Sequence, residues 1–250
     1  MRRATVALFV PCFVDQLYPQ VAIAALRVLE RLGVDVAVPE GAACCGQPPA
    51  NAGFERGAAP ALAGFVRTFR SFDRVVVLSG SCAVHVRAHA ASVGGAAVAE
   101  RTTELCAFLH DEVGLDAVRS LGAEFSRRVG VHVGCHALRG LGLATPSELR
   151  PPRRVDKVRA LLETVRGLTF AEPARPDECC GFGGTFAVAE PEVSAKMGRD
   201  RLRDYAAGAA EAIVSTDMSC LMHLGGLARR DGATLPMLHV AEVLTGGGTA

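Results

Sequence analysis

The chain has 250 residues, enough for one large domain or two small ones with a buried core. Its 27 Lys and Arg offset 26 Asp and Glu to a net charge of +1, and with no Trp and only 2 Tyr it lacks the basic surface and aromatic platforms of a nucleic-acid binder. No apolar run reaches bilayer length, and nine cysteines, an odd number without a secretory leader, speak against a disulfide framework and for metal or redox thiols in the cytoplasm.

At the start, Arg2 and Arg3 precede an apolar run over residues 4–10. The run is short for a signal peptide, and Pro11-Cys12 follows where a small-residue cleavage site would stand, so it reads as a buried first strand. Val21, Ala24, Ala25, Val28 and Leu32 share one face of a helix over residues 20–32, which Gly33 ends. Residues 34–38 alternate as a strand, and Cys44-Cys45-Gly46 closes that segment. A helix is expected over 54–72, then a buried strand over 75–78 ending at Ser79-Gly80-Ser81-Cys82. Cys106 has no counterpart elsewhere and is expected to pack on a helix over 103–113.

The same order then repeats. A strand over 129–133 leads to Gly134-Cys135. Pro146, Pro151 and Pro152 mark 144–154 as a loop. A helix over 155–165 ends at Gly167, a strand over 168–170 follows, and Cys179-Cys180-Gly181 comes next. A helix over 191–207 and a strand over 212–215 lead to Ser219-Cys220. Even the tails rhyme, Ser81-Cys82-Ala83-Val84-His85 against Ser219-Cys220-Leu221-Met222-His223. The fold expected is therefore α/β: two similar halves from an internal duplication, 1–120 and 121–250, each a mostly parallel sheet flanked by helices.

Cys12, Cys82, Cys135 and Cys220 each fall just after an expected strand, where ligands gather in open α/β sheets. Adjacent cysteines in an extended chain point to opposite faces, so the backbone must turn at each pair, and Gly46 and Gly181 supply the freedom. Cys82 and Cys220 are placed to begin helices, whose N-termini favour the thiolate form that binds metal. Four thiolates per half suit an iron–sulfur cluster. The spacings, Cys12-x31-CysCys-x36-Cys82 and Cys135-x43-CysCys-x39-Cys220, match neither zinc knuckles nor compact ferredoxin runs.

On Phe9-Val10-Pro11-Cys12, Cys44-Cys45-Gly46-Gln47-Pro48, Ser79-Gly80-Ser81-Cys82, the run from Cys179 to Phe186 and the run from Leu238 to Leu244, the chain resembles the cysteine-rich CCG-domain family almost end to end. That family includes the CCG-containing subunit of heterodisulfide reductase and the iron–sulfur subunit of glycolate oxidase, and the likeness is nearest to its lactate-utilisation members. The resemblance implies an oxidoreductase subunit that passes electrons in oxidising L-lactate, or a related 2-hydroxyacid, to the 2-oxoacid. It implies partners in a lactate-oxidation complex, among them a second iron–sulfur protein. It carries over Cys12, Cys44, Cys45, Cys82, Cys135, Cys179, Cys180 and Cys220 as ligands of one or two clusters per chain, of the 4Fe–4S type. The fuller family motif ends Cys-x-x-Cys and its five cysteines can hold a non-cubane cluster. Here His85 and His223 stand at the last position, so each site is a four-cysteine site or is completed by the histidine. Zinc in one half is the alternative metal.

Other residues read more plainly. His136 beside Cys135 is a candidate to tune the site, whereas His89, His110, His132 and His239 are expected in ordinary packing or surface roles. The Gly181–Thr185 run lacks the Lys-Ser/Thr of a phosphate loop, and Asp15, Asp217 and Glu242 are expected as structural or solvated carboxylates. Two other functions fit the thiols: a zinc-stabilised assembly module, and a thiol/disulfide reductase component like heterodisulfide reductase.

Overall fold

Short β-branched runs alternate with amphipathic helices, and a computed structural model, describing residues 6–149 and 155–246, gathers the strands into two sheets. The first holds β1 (Val6–Phe9), β2 (Val36–Ala37), β3 (Arg74–Val77) and β4 (Thr102–Glu104) in the order β2-β1-β3-β4. The second holds β5 (Arg128–His132), β6 (Thr169–Ala171), β7 (Ala212–Ser215) and β8 (Met237–His239) in the order β6-β5-β7-β8. Every pairing is parallel, with Phe9 opposite Val77 and His132 opposite Ser215. Parallel neighbours need crossovers, and helices supply them: Pro19–Arg31 and Glu55–Phe69 in the first half, Lys157–Leu162 and Pro191–Ala207 in the second. The repeat seen in the sequence is thus a repeat of topology.

Most of the expected helices and strands form at their expected length within a residue, and a few are shortened. The strand expected over 34–38 contracts to Val36–Ala37, and the helix expected over 54–72 runs Glu55–Phe69. The helix expected over 103–113 needs a larger correction. Thr102 and Thr103 pair with β3 as a strand, and helical turns begin only at Leu105. The Glu104 carboxyl makes the break by accepting the Cys106 and Ala107 N–H groups on Oε2 as an N-cap. Cys106 is fully buried there, in the packing role expected of it. At the matching place in the second half, His239 ends β8 and caps Val240–Leu244, with Glu242 bonding back to its N–H as a capping box. Arg2 and Arg3, and Pro151 and Pro152 of the expected loop, lie outside the described residues.

Strands covered on both faces should be apolar throughout, and Ala7, Leu8, Phe9, Val75, Val76, Val77, Ile213 and Val214 are all buried. One apolar core joins Val28 and Leu29 of the first half to Val129, Leu161 and Leu244 of the second. A second cluster lies under the first sheet, where Phe9 meets Phe65 edge-on at 4.9 Å; full burial of such a ring contributes about 1.5–3 kcal/mol. The shared core holds the two sheets so that the carboxyl ends of their strands face each other. Asp217 tightens that arrangement. Its buried carboxylate accepts the Ser79 hydroxyl at 2.8 Å, the Ser81 N–H at 2.9 Å and the Ser81 hydroxyl at 3.2 Å. Among the described residues no helix is long and apolar enough to cross a membrane.

Candidate metal centre

The strand ends deliver the cysteines. Cys12 opens the helix Cys12–Leu17 just after β1, and Cys135 follows β5. Cys82 lies in the first turn of Gly80–His89 after β3, with its N–H bonded to the Ser79 hydroxyl at 3.2 Å. Cys220 holds the same place in Met218–Arg230 after β7.

The paired cysteines come from loops that turn at glycine. Gly46 (φ 91°) and Gly181 (φ 89°) are left-handed, a conformation that L side chains resist. Space forbids a side chain as well: a Cβ on Gly46 would lie 2.8 Å from the Ala58 carbonyl oxygen, and one on Gly181 2.5 Å from that of Ser194. The turn brings N–H groups back onto sulfur. Gly46 N–H donates to Cys44 Sγ at 3.3 Å, Gly181 N–H to Cys179 Sγ at 3.4 Å, and Phe182 N–H to Cys180 Sγ at 3.5 Å.

All eight repeated cysteines are thereby gathered, four to each half. Cys45 and Cys82 sulfurs stand 3.2 Å apart, Cys44 lies beside Cys12 and Cys45, and in the second half Cys179 lies beside Cys135 and Cys180, and Cys180 beside Cys220. In each quartet one thiol is favoured as the anion over its neighbours. Hydrogen bonds from Cys12, then from Cys45, hold the Cys44 thiol far below its usual range, and those from Cys135 and Cys180 do the same for Cys179. The donors move the other way: bonding to Cys44 and burial push Cys12 and Cys45 up, and bonding to Cys179 and burial push up Cys135 and Cys180. Four adjoining sulfurs in each half, with backbone N–H groups bonded to Cys44, Cys179 and Cys180, fit a thiolate-ligated metal group.

Both quartets open on one cavity of about 440 Å³ between the halves. Its walls include Cys12, Cys45 and Cys82 on one side and Cys135, Cys179, Cys180 and Cys220 on the other, with apolar cover from Phe13, Val14, Phe182 and Met218.

The cysteine-rich domain family CCG matches residues 6–87 and 129–225, one stretch in each half. The chain belongs to the CCG family. It is similar to lactate utilization protein A of Oceanobacillus iheyensis, 33% identical over 247 residues that cover 96% of each chain. The proteins of the same name from Bacillus licheniformis and Shouchella clausii are 34% and 35% identical, each over 96% of this chain and 98% of theirs.

The histidines divide the two CCG repeats. His85 is buried, and its Nε2 has no hydrogen-bond partner among the described residues. Burial, then the neighbouring His89, lowers its pKa to about 4, against a pull upward from Cys44. His223 is tied down instead, its Nε2 3.3 Å from the Ser194 carbonyl oxygen and 3.4 Å from the Ser194 hydroxyl. His136 stands between the repeats, 3.6 Å from Cys135 Sγ on one nitrogen and 3.4 Å from Gln47 Nε2 on the other. His132, expected only to pack, lies beside the second CCG repeat: a ring nitrogen and the sulfurs of Cys180 and Cys220 all fall within 4.8 Å of one another. Burial, then the nearby Arg201, lowers its pKa to about 3, which keeps the ring neutral. Laying one repeat over the other would have flagged it, because Phe9 holds its place in the first.

Proposed function

We propose that this chain is an iron–sulfur redox subunit of a system oxidising L-lactate, or a related 2-hydroxyacid, to the 2-oxoacid. The observation that carries the reading is the pair of four-sulfur clusters facing one cavity; the named relatives supply the substrate class. Cys12, Cys44, Cys45 and Cys82 would hold one group and Cys135, Cys179, Cys180 and Cys220 the other. Clusters of the 4Fe–4S type bound there supply one-electron redox chemistry. The chain's own part is to gather the sulfurs at the strand ends, to bond backbone N–H groups to Cys44, Cys179 and Cys180, and to line the cavity between the quartets with apolar residues. The loss of two electrons and two protons from a 2-hydroxyacid then requires other subunits of the complex, including a second iron–sulfur protein, as electron acceptors. With thiols unpaired throughout, the reducing cytoplasm is the matching setting.

Anaerobic purification, iron and sulfide counting and electron paramagnetic resonance test this directly. Iron and sulfide in a redox-active signal support it; a colourless chain holding only zinc after reconstitution refutes it. The common cavity favours one second reading, a thiol/disulfide reductase whose substrate reaches both quartets. A paramagnetic signal that changes on adding a small thiol or disulfide, with no response to 2-hydroxyacid in the assembled complex, would select that reading.

A further inference from the structure

His132 ends β5 and pairs in register with Ser215. Phe9 ends β1 in the same register, opposite Val77, and each lies three residues before the first cysteine of its half. Phe9 is absorbed by packing, its ring centroid 4.9 Å from Phe65 and 5.8 Å from Phe69. His132 is not absorbed. It is 1% exposed, and neither ring nitrogen has a hydrogen-bond partner among the described residues. Buried polar atoms left without a partner are rare because they forfeit water for nothing. What this ring does face is sulfur, with Cys180 and Cys220 inside the 4.8 Å span of its nitrogen. His223, the residue standing where the family motif places its last cysteine, spends its Nε2 on Ser194.

We propose that His132 is a ligand of the metal group held by Cys135, Cys179, Cys180 and Cys220. The second half then binds through sulfur and one imidazole nitrogen, a donor that iron and zinc both accept. The first half has Phe9 at the equivalent place, so the strand end that supplies this nitrogen in the second half supplies none in the first. The inference rests on the thiolate–metal reading above.

The test uses the full chain, loaded with iron and sulfide under anaerobic conditions, reduced, and examined by pulsed electron paramagnetic resonance with unlabelled and ¹⁵N-histidine protein. Expected is a strongly coupled histidine nitrogen on one cluster signal, lost in His132→Phe and kept in His223→Ala. If His132→Phe fails to fold, a variant with His85, His136 and His223 all changed to Ala decides by elimination: retention of the coupling supports His132, and its loss refutes it. Iron bound in the wild type without strong nitrogen coupling overturns the inference alone, as does coupling that survives in His132→Phe. A wild-type chain that binds no iron overturns the iron–sulfur reading and this inference together.

Discussion

Gly181→Ala and Gly184→Ala make a matched pair in one loop. Both glycines have positive φ, 89° and 69°. An alanine forced into that region loses about 1–2 kcal/mol at either place. Only Gly181 also lacks room: its Cβ would lie 2.5 Å from the Ser194 carbonyl oxygen and 2.8 Å from Met197 Cβ, whereas nothing lies within 4 Å of a Cβ on Gly184. The clash is with the backbone of Pro191–Ala207, which cannot swing aside like a side-chain tip. Overpacking of that kind adds about 1–3 kcal/mol. Gly181→Ala should therefore cost about 2–5 kcal/mol and Gly184→Ala about 1–2 kcal/mol. Urea unfolding of the metal-free, reduced chain, followed by circular dichroism, gives both values. Displacing Ser194 also disturbs its bond to the Gly181 carbonyl, so iron retention by the second half should fall in Gly181→Ala and hold in Gly184→Ala. Equal losses for the two variants would refute the steric argument.

Other outcomes follow from the same geometry. Cys180→Ser should lower the iron bound by the reconstituted chain to about half, by removing one of the four thiolates of one centre, while Cys106→Ser, buried away from both quartets, should leave it unchanged. Asp217→Ala strips acceptors from Ser79 and Ser81 and should cost at least about 1–3 kcal/mol in urea unfolding, with Asp217→Asn, which keeps one acceptor, losing less. Burial raises the Glu104 pKa from 4.5 to about 8, ahead of the lowering by the Ala107 and Cys106 N–H groups. Its proton is thus held more tightly folded than unfolded, so its contribution is complete below about 4.5 and lost as pH rises through about 8. Urea midpoints should show the wild type losing stability relative to Glu104→Gln across that window, by up to about 1.4 kcal/mol per pH unit; parallel pH profiles would contradict this.

The duplication and most of the strands were legible because cysteine spacing and buried β-branched runs are local signals. β4 and β8 were not, since their pairing with β3 and β7 is a tertiary fact. Among candidate site residues, the eight cysteines could be found from the repeat, each at the end of a strand or before a turning glycine. That both quartets share one cavity depends on how the halves dock through a common core, which no local pattern encodes. The surroundings of the histidines were hidden for the same reason. His85 and His223 occupy equivalent sequence places, yet only His223 meets Ser194. His132 read as a strand residue because its distinction lies in what it faces across space. Asp217 and Glu242 were legible as structural carboxylates, though not in the specific jobs of joining the halves and closing a capping box.

The Ser79–Asp217 contact has a meaning beyond stability. Counting back three residues from Cys82 and Cys220 gives these two positions, so the bond links equivalent points of the repeat. A pair of identical copies docked the same way would set two like residues against each other there. Two aspartates would repel in a buried place, and two serines would lack the pair of carboxyl oxygens that takes the Ser79 and Ser81 bonds together. Two repeats in one chain are free of that symmetry, so one side can supply the acceptor and the other its donor. The same freedom lets one strand end in phenylalanine and its twin in histidine, so that a molecule built by copying itself no longer treats its two faces alike.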